Sequence, residues 1–158
     1  MSMIKQTKKI TLILFAIAAI TMSGCKCHKK VAVIETTPEF NAEETWMLIS
    51  MRGKEVVYNE GQKQITLVIN PEAGTMNGHS GCNRYFGDFK DLGNGQFELG
   101  MINATKMACP EPFHKIEGAY MQLLRQCDNY NLGEYTLEFK QKDKVLLSFE
   151  KQQDEKSK

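Results

Sequence analysis

The chain of 158 residues has the length of one ordinary domain, carries a formal net charge of +1 and is 42% hydrophobic. These apolar side chains suffice to build a core, which excludes a wholly disordered chain. Nucleic-acid binding proteins carry a strongly basic surface, which a chain of near-zero net charge lacks. No nucleic-acid partner is therefore expected.

The N-terminal residues have the pattern of a secretory signal. Basic residues up to Lys9 precede the apolar run Ile10 to Ile20, and small residues then lead to Cys25. Because a membrane span needs roughly 20 apolar residues, the run favours a signal over a transmembrane helix. The ending Met22 to Cys25 is similar to the lipobox of bacterial lipoproteins.

This resemblance implies that residues 1–24 are removed as a lipoprotein signal peptide and that Cys25 carries acyl chains. Two or more long acyl chains hold a protein to a membrane essentially irreversibly. Cleavage removes three lysines and no acid, so 20 basic residues fall to 17 against 19 acidic ones, a net charge of −2. Lys26 is not an acid, so the inner-membrane retention signal known from enteric bacteria is absent. We therefore expect an outer-membrane lipoprotein of the cell envelope.

Residues 25–43 are predicted to be a lipidated tether between the membrane and the domain. The basic cluster Lys26 to Lys30 could add to association with an anionic leaflet, although a solvated linker explains it equally well. Cys27-His28 follows Cys25 one residue too closely for the C-x-x-C-H spacing of haem attachment. An acylated Cys25 cannot be a thiolate ligand, so neither a metal nor a cofactor is expected.

Short strand patterns begin near residue 44, where the folded domain is predicted to start. The predicted strands are, in chain order, residues 46–51, 65–69, 75–79, 84–90, 96–99, 135–139 and 145–149. From Pro112 to Cys127, apolar residues recur at spacings of three and four, which predicts one amphipathic helix. Adjacent short strands joined by tight turns favour antiparallel pairing. The polar residues 151–158 are predicted to be a disordered tail.

Besides Cys25, four cysteines remain: Cys27, Cys82, Cys109 and Cys127. Outside the cytoplasm thiols meet oxidising machinery, and four of them allow three pairings. We predict a disulfide between Cys82 and Cys109, because both lie in turn-rich loops whereas Cys127 falls on the apolar face of the helix. The other roles stay open: Cys127 is either paired or a buried inert thiol, and Cys27 is either free or in a mixed disulfide.

Two cysteine motifs are similar to those of the META domain of HslJ-like bacterial envelope lipoproteins. The first is GCNRYFG, from Gly81 to Gly87, and the second is TKMACP, from Thr105 to Pro110. The resemblance covers about residues 45–150 and assigns the domain to 44–150. It implies an α+β fold: a mostly antiparallel β-sheet, partly open and barrel-like, with one amphipathic helix packed against it. It also implies an envelope-stress or maintenance role with no established enzymatic reaction.

Asn83, Arg84 and Tyr85 of the first motif are candidate ligand-surface residues, although turn formation and packing explain them as well. Arg84 with Tyr85 could cover the helix or pair with an acid such as Glu111.

No catalytic residue is predicted, because GHSGC, from Gly78 to Cys82, lacks the last glycine of a G-x-S-x-G nucleophile elbow.

The sequence thus predicts a monomeric, non-enzymatic module, anchored to the membrane through Cys25, that binds an envelope protein, a lipid or the cell wall. The alternative is a structural or stress-protective envelope protein with no dedicated ligand. A thiol or serine hydrolase that uses Cys82 or Ser80 with His79 is the least supported class.

Overall fold

The computed structural model describes residues 38–58 and 60–153. The predicted signal peptide, Cys25, Cys27 and most of the tether lie outside the described residues, as do the last five positions of the predicted tail. Within the part of the chain that is described, no helix has the length and apolar character needed to cross a membrane.

The described residues form an antiparallel sheet that closes on itself, with one helix between its sixth and seventh strands. The elements are β1 (Trp46–Met51), β2 (Lys54–Glu55), β3 (Ile65–Asn70), β4 (Thr75–Ser80), β5 (Arg84–Gly93), β6 (Gln96–Ala104), α1 (Phe113–Leu124), β7 (Asn129–Leu132), β8 (Thr136–Gln141) and β9 (Lys144–Lys151). Strands are neighbours in the order β2-β1-β3-β4-β5-β6-β7-β8-β9, and β9 also pairs with β1. This ring confirms the predicted α+β, mostly antiparallel and barrel-like fold.

The ring is uneven, which fits a partly open barrel. Strand β4 pairs along its full length with β3, whereas β6 and β7 share a single pair in the described register, Gln96 with Asn129. Between β1 and β3 the register likewise covers only Trp46 and Met47 on the β1 side. The ring is therefore held mainly by its hairpins and by the long β1–β9 pairing.

The core fills the inside of the ring and is covered by α1. Strand β3 shows why: its residues alternate, so Ile65, Leu67 and Ile69 face inward and are fully buried. The helix packs against β4 and β9 and adds Tyr120 and Leu124 to the same cluster. Every buried core side chain among the described residues lies between positions 40 and 149, and residues 36–158 form one compact unit with this core inside it.

The packed domain extends beyond both predicted boundaries, residues 44 and 150. Phe40 lies in the predicted tether, yet it is buried and its ring contacts Phe89 and Tyr130. At the other end, Lys151 still belongs to β9, and the Gln152 N–H donates to the Thr45 carbonyl at 2.7 Å. Ordered structure thus begins before residue 44 and continues into the start of the predicted tail.

Several element bounds differ from the sequence prediction. The helix ends at Leu124, before the predicted end at Cys127, which is buried just beyond it. Strand β6 continues to Ala104 because it pairs with β5 back to Tyr85 across a register shift between Gly87 and Phe89. That shift interrupts the two-residue alternation by which strands are recognised. Strands β2 and β7 were not predicted, since both are short and mostly polar.

Candidate functional site

The first cysteine motif forms the turn between β4 and β5. Gly81 has a φ of +92°, a conformation that favours glycine. The Ser80 N–H donates to the Asn83 carbonyl at 2.8 Å, and the Ser80 hydroxyl oxygen also lies 2.8 Å from that carbonyl oxygen. The turn is therefore closed by its own backbone and one buried hydroxyl.

The Asn83 side chain joins this turn to two other segments. Its Oδ1 accepts hydrogen bonds from the Thr105 hydroxyl and from the Met107 N–H, both at 2.8 Å. Its Nδ2 donates to Glu117 Oε2 at 3.0 Å. Because Asn83 is only 5% exposed, this amide connects the two motifs and the helix from within the protein.

Glu117 is a buried carboxylate on the inner face of α1, and it is not among the site residues predicted from the sequence. Its Oε1 accepts from the Ser80 hydroxyl and its Oε2 from Asn83, which supplies the hydrogen bonds that a buried carboxylate needs. The signal available in the sequence was its position: Glu117 lies three residues before Tyr120 and seven before Leu124, on the face of the helix that is otherwise apolar.

A disulfide joins Cys82 to Cys109, as predicted, with the two Cα atoms 6.0 Å apart. It ties the β4–β5 turn to the segment between β6 and α1, beside the hydrogen bonds of Asn83. Cys127 is free and buried. Burial, with a smaller effect of the Asp128 charge, raises the pKa of Cys127 to about 12, so its thiol stays protonated and weakly reactive at neutral pH.

The three candidate ligand-surface residues have different surroundings. Asn83 and Tyr85 are buried, whereas Arg84 is exposed. The Tyr85 hydroxyl donates to the Thr66 carbonyl at 2.8 Å and lies 2.7 Å from the Tyr120 hydroxyl of α1. Tyr85 thus contacts the helix, as one of the sequence interpretations expected. A ligand surface at this motif stays a prediction, with Arg84 as its accessible side chain.

The suggested ion pair between Arg84 and Glu111 is wrong. Glu111 instead lies 3.8 Å from the Lys115 ammonium one turn further along the chain. This is an exposed pair, for which a negligible to small contribution to stability is typical. The acid that matters to the motif is Glu117, whose partners are the polar groups of Ser80 and Asn83.

The groups considered for catalysis are engaged in structural contacts. Ser80 is fully buried, Cys82 is in the disulfide, and the Nδ1 of His79 accepts the Gly81 N–H at 3.1 Å. Burial, followed by the charges of Lys63 and Arg84, lowers the pKa of His79. The Ser80 hydroxyl contacts Glu117 and the Asn83 backbone. Among the described residues, no group of three or more His, Cys, Asp or Glu is placed to hold a metal ion.

An apolar groove lies between the β1–β2 hairpin and the outer face of α1. We call it the hairpin–helix groove; its volume is about 400 Å³. Its apolar lining is Met51, Val56, Val57, Ile116, Ala119 and Leu123. Its polar lining is Arg52, Lys54, Glu55 and Gln122. Val57 is 72% exposed, which is unusual for a large apolar side chain and leaves it accessible to a ligand.

Hydrogen bonds hold both walls of the groove. On the hairpin side, the Arg52 N–H donates to the Leu146 carbonyl of β9 at 2.7 Å. The Val56 N–H donates to the Ile49 carbonyl at 2.9 Å. On the helix side, Glu117 anchors the turn of α1 that carries Ile116. The motif residues therefore position one wall of a groove that they do not themselves line.

These features define a small antiparallel β-domain, closed by one disulfide and covered by one helix. The model of the META domain matches residues 39–154. The chain therefore belongs to the META domain family, which is not a known family of enzymes. The family match confirms the resemblance that the two cysteine motifs indicated.

Two solved structures have the same fold. One is described as an NMR structure of a protein from Burkholderia xenovorans; it is 26% identical, with a TM-score of 0.57, and the match covers 75% of this chain and 93% of that one. A second NMR structure is 20% identical, with a TM-score of 0.53, covering 69% of this chain and 89% of that chain, and supports the fold alone. No curated protein matches the chain.

Proposed function

We propose that this protein is an outer-membrane lipoprotein whose META domain is a non-catalytic binding module for envelope maintenance. The observation that carries the binding role is the hairpin–helix groove, an apolar cleft with a few polar groups in its lining. Ligand sites commonly have this composition and a volume of about 300 to 1,000 Å³. Its partner is an envelope protein or a lipid.

The state of the polar groups supports a non-catalytic role. Hydrolysis through a covalent intermediate needs an accessible nucleophile beside a base. Here Ser80 is buried within the Glu117 network, and Cys82 is oxidised. The same network has a structural role, because it fixes the helix that forms one wall of the groove.

The short distance along the chain from the proposed anchor supports a partner close to the membrane. Pro38, the first described residue, is thirteen positions after Cys25 along the chain. Since an extended chain spans at most about 3.6 Å per residue, Pro38 lies within about 47 Å of an acylated Cys25. A module held at that distance meets membrane-associated partners at high effective concentration.

The anchor is tested by replacing Cys25 in the full-length chain. We expect Cys25→Ala to abolish incorporation of labelled palmitate and to leave the chain at precursor length, because the acyl acceptor at the cleavage site is gone. Cys27→Ala, two positions away, is the matched control and should be acylated and processed normally. Acylation of the Cys25→Ala chain, or an unacylated wild type, contradicts the proposed anchor.

The binding role is tested by photocrosslinking in intact cells. A photoreactive amino acid at Val57 should give an adduct that mass spectrometry identifies as one recurring lipid or envelope protein. Met101, on the far strand β6, is the control because it is 74% exposed, close to the 72% of Val57. The same adducts from both positions, or none from either, contradict a dedicated groove and favour the structural or stress-protective alternative.

A further inference from the structure

We propose that the hairpin–helix groove binds a fatty acid, with the acyl chain along its apolar floor and the carboxylate at its cationic edge. This inference rests on the proposed binding function and names the ligand class of the same groove. It follows from the size of the groove, from the clustering of its charged residues at the β1–β2 turn, and from the sign of the charge.

The dimensions favour a single acyl chain. The volume of about 400 Å³ is near the lower end of the range typical of ligand sites. Six apolar side chains line it, three from the hairpin segment and three from the helix. A flexible unbranched chain can lie between two such walls, and each methylene removed from water there favours binding.

The charged lining residues supply the polar end of the site. Arg52 and Lys54 lie on either side of Gly53 in the β1–β2 turn, and Glu55 follows them. None of these three side chains forms an ion pair with another described residue. Two cations against one acid leave the edge net positive, which attracts an anionic head group and disfavours a cationic one.

The arginine is well placed to accept a carboxylate. Arg52 has a φ of +50°, and its N–H is held by the Leu146 carbonyl, so the backbone of the turn is fixed before a ligand arrives. A guanidinium can bind a carboxylate through two parallel hydrogen bonds. A neutral apolar segment of a partner protein makes no use of these two cations.

The test compares three ligands with the same chain and different head groups. Residues 36–158, which contain the whole described core, are titrated calorimetrically with dodecanoate and dodecyltrimethylammonium below their micelle concentrations, and with dodecanol below its solubility limit. We expect dodecanoate to bind about tenfold more tightly than dodecanol, since each exposed ion pair adds a modest factor. Dodecyltrimethylammonium should bind most weakly.

Variants assign the binding to the groove. The double variant Arg52→Asn, Lys54→Gln should lower the dodecanoate affinity about tenfold and leave dodecanol unchanged, because only the charge is removed. Asparagine is chosen because it tolerates a positive φ. Glu55→Gln, the control of opposite sign, should preserve or raise the dodecanoate affinity. Val57→Ser should weaken both ligands, whereas Met101→Ser should weaken neither.

The outcomes separate this inference from the function on which it rests. Equal affinity for the three head groups, or dodecanoate binding that survives loss of both cations, overturns the anionic ligand. Absence of binding by all three amphiphiles overturns the fatty-acid proposal as a whole. If Val57 still crosslinks to one envelope protein in cells, the groove remains a binding site, and only its ligand class is wrong.

Discussion

Replacing Cys82 and Cys109 together by alanine is expected to lower the free energy of unfolding by about 3.5 kcal/mol. The bond closes a loop between residues 27 apart, and a loop of that size strongly restricts the unfolded chain. Small domains are typically stable by only about 5 to 15 kcal/mol, so the loss is a large share of the total. The double alanine variant should therefore unfold at a much lower urea concentration.

Urea denaturation of residues 36–158, with and without reductant, measures this effect. Reductant should destabilise the wild type by about the amount that the double substitution costs, and should leave the double variant unchanged. Cys127→Ala is the control: its thiol is in no disulfide, so the variant loses buried volume and a weak hydrogen bond to the Leu123 carbonyl, about 1 kcal/mol together, and keeps the full response to reductant. A wild type that does not respond to reductant would show that the bond contributes no stability.

Local patterns predicted the elements that have a regular period. Strand β3 is a run rich in β-branched residues, and its predicted bounds, 65–69, differ from the observed Ile65–Asn70 by one residue. The three- and four-residue spacing predicts the helix, although Ala119, which follows this spacing, is exposed and lines the groove. A periodic pattern identifies a face but not which neighbour covers it.

The closure of the ring had no local signal. Trp46 pairs with Lys151, more than 100 positions away, and nothing in either segment specifies that partner. Register between distant strands is set by the whole core once it packs, with one face of each strand buried. The short strands and tight turns therefore predict antiparallel pairing, whereas the barrel-like form could be predicted only through the family resemblance.

The site shows the same division between local and distant information. The GCNRYFG motif was recognisable, but the hydrogen bonds of Asn83 reach Thr105 and Glu117, which lie on two other segments. The groove brings Val57 next to Ile116, so no linear motif marks it. What the motif fixes is the turn and the helix, and the proposed binding surface lies where that helix meets the hairpin.

Gly78→Ala is expected to have the largest effect of any small substitution, a loss of at least about 3 kcal/mol in the free energy of unfolding. Gly78 lies in the middle of β4, opposite Leu67 and Tyr85. A Cβ there would overlap the Thr66 carbonyl and lie 2.9 Å from the Tyr85 hydroxyl. The hydrogen bond between those two groups passes over the bare glycine, and backbone cannot move aside as a flexible side chain can.

Gly118→Ala is the matched control, with the opposite expected sign. Gly118 is exposed on α1, and no heavy atom lies within 4 Å of a Cβ built there. Alanine at that position should raise the free energy of unfolding by about 0.5 to 1 kcal/mol, since it restricts the unfolded chain and favours the helix. Urea midpoints of both variants give the comparison. Similar stability of Gly78→Ala and the wild type would mean that the Tyr85 hydroxyl and the Thr66 carbonyl do not meet closely over Gly78.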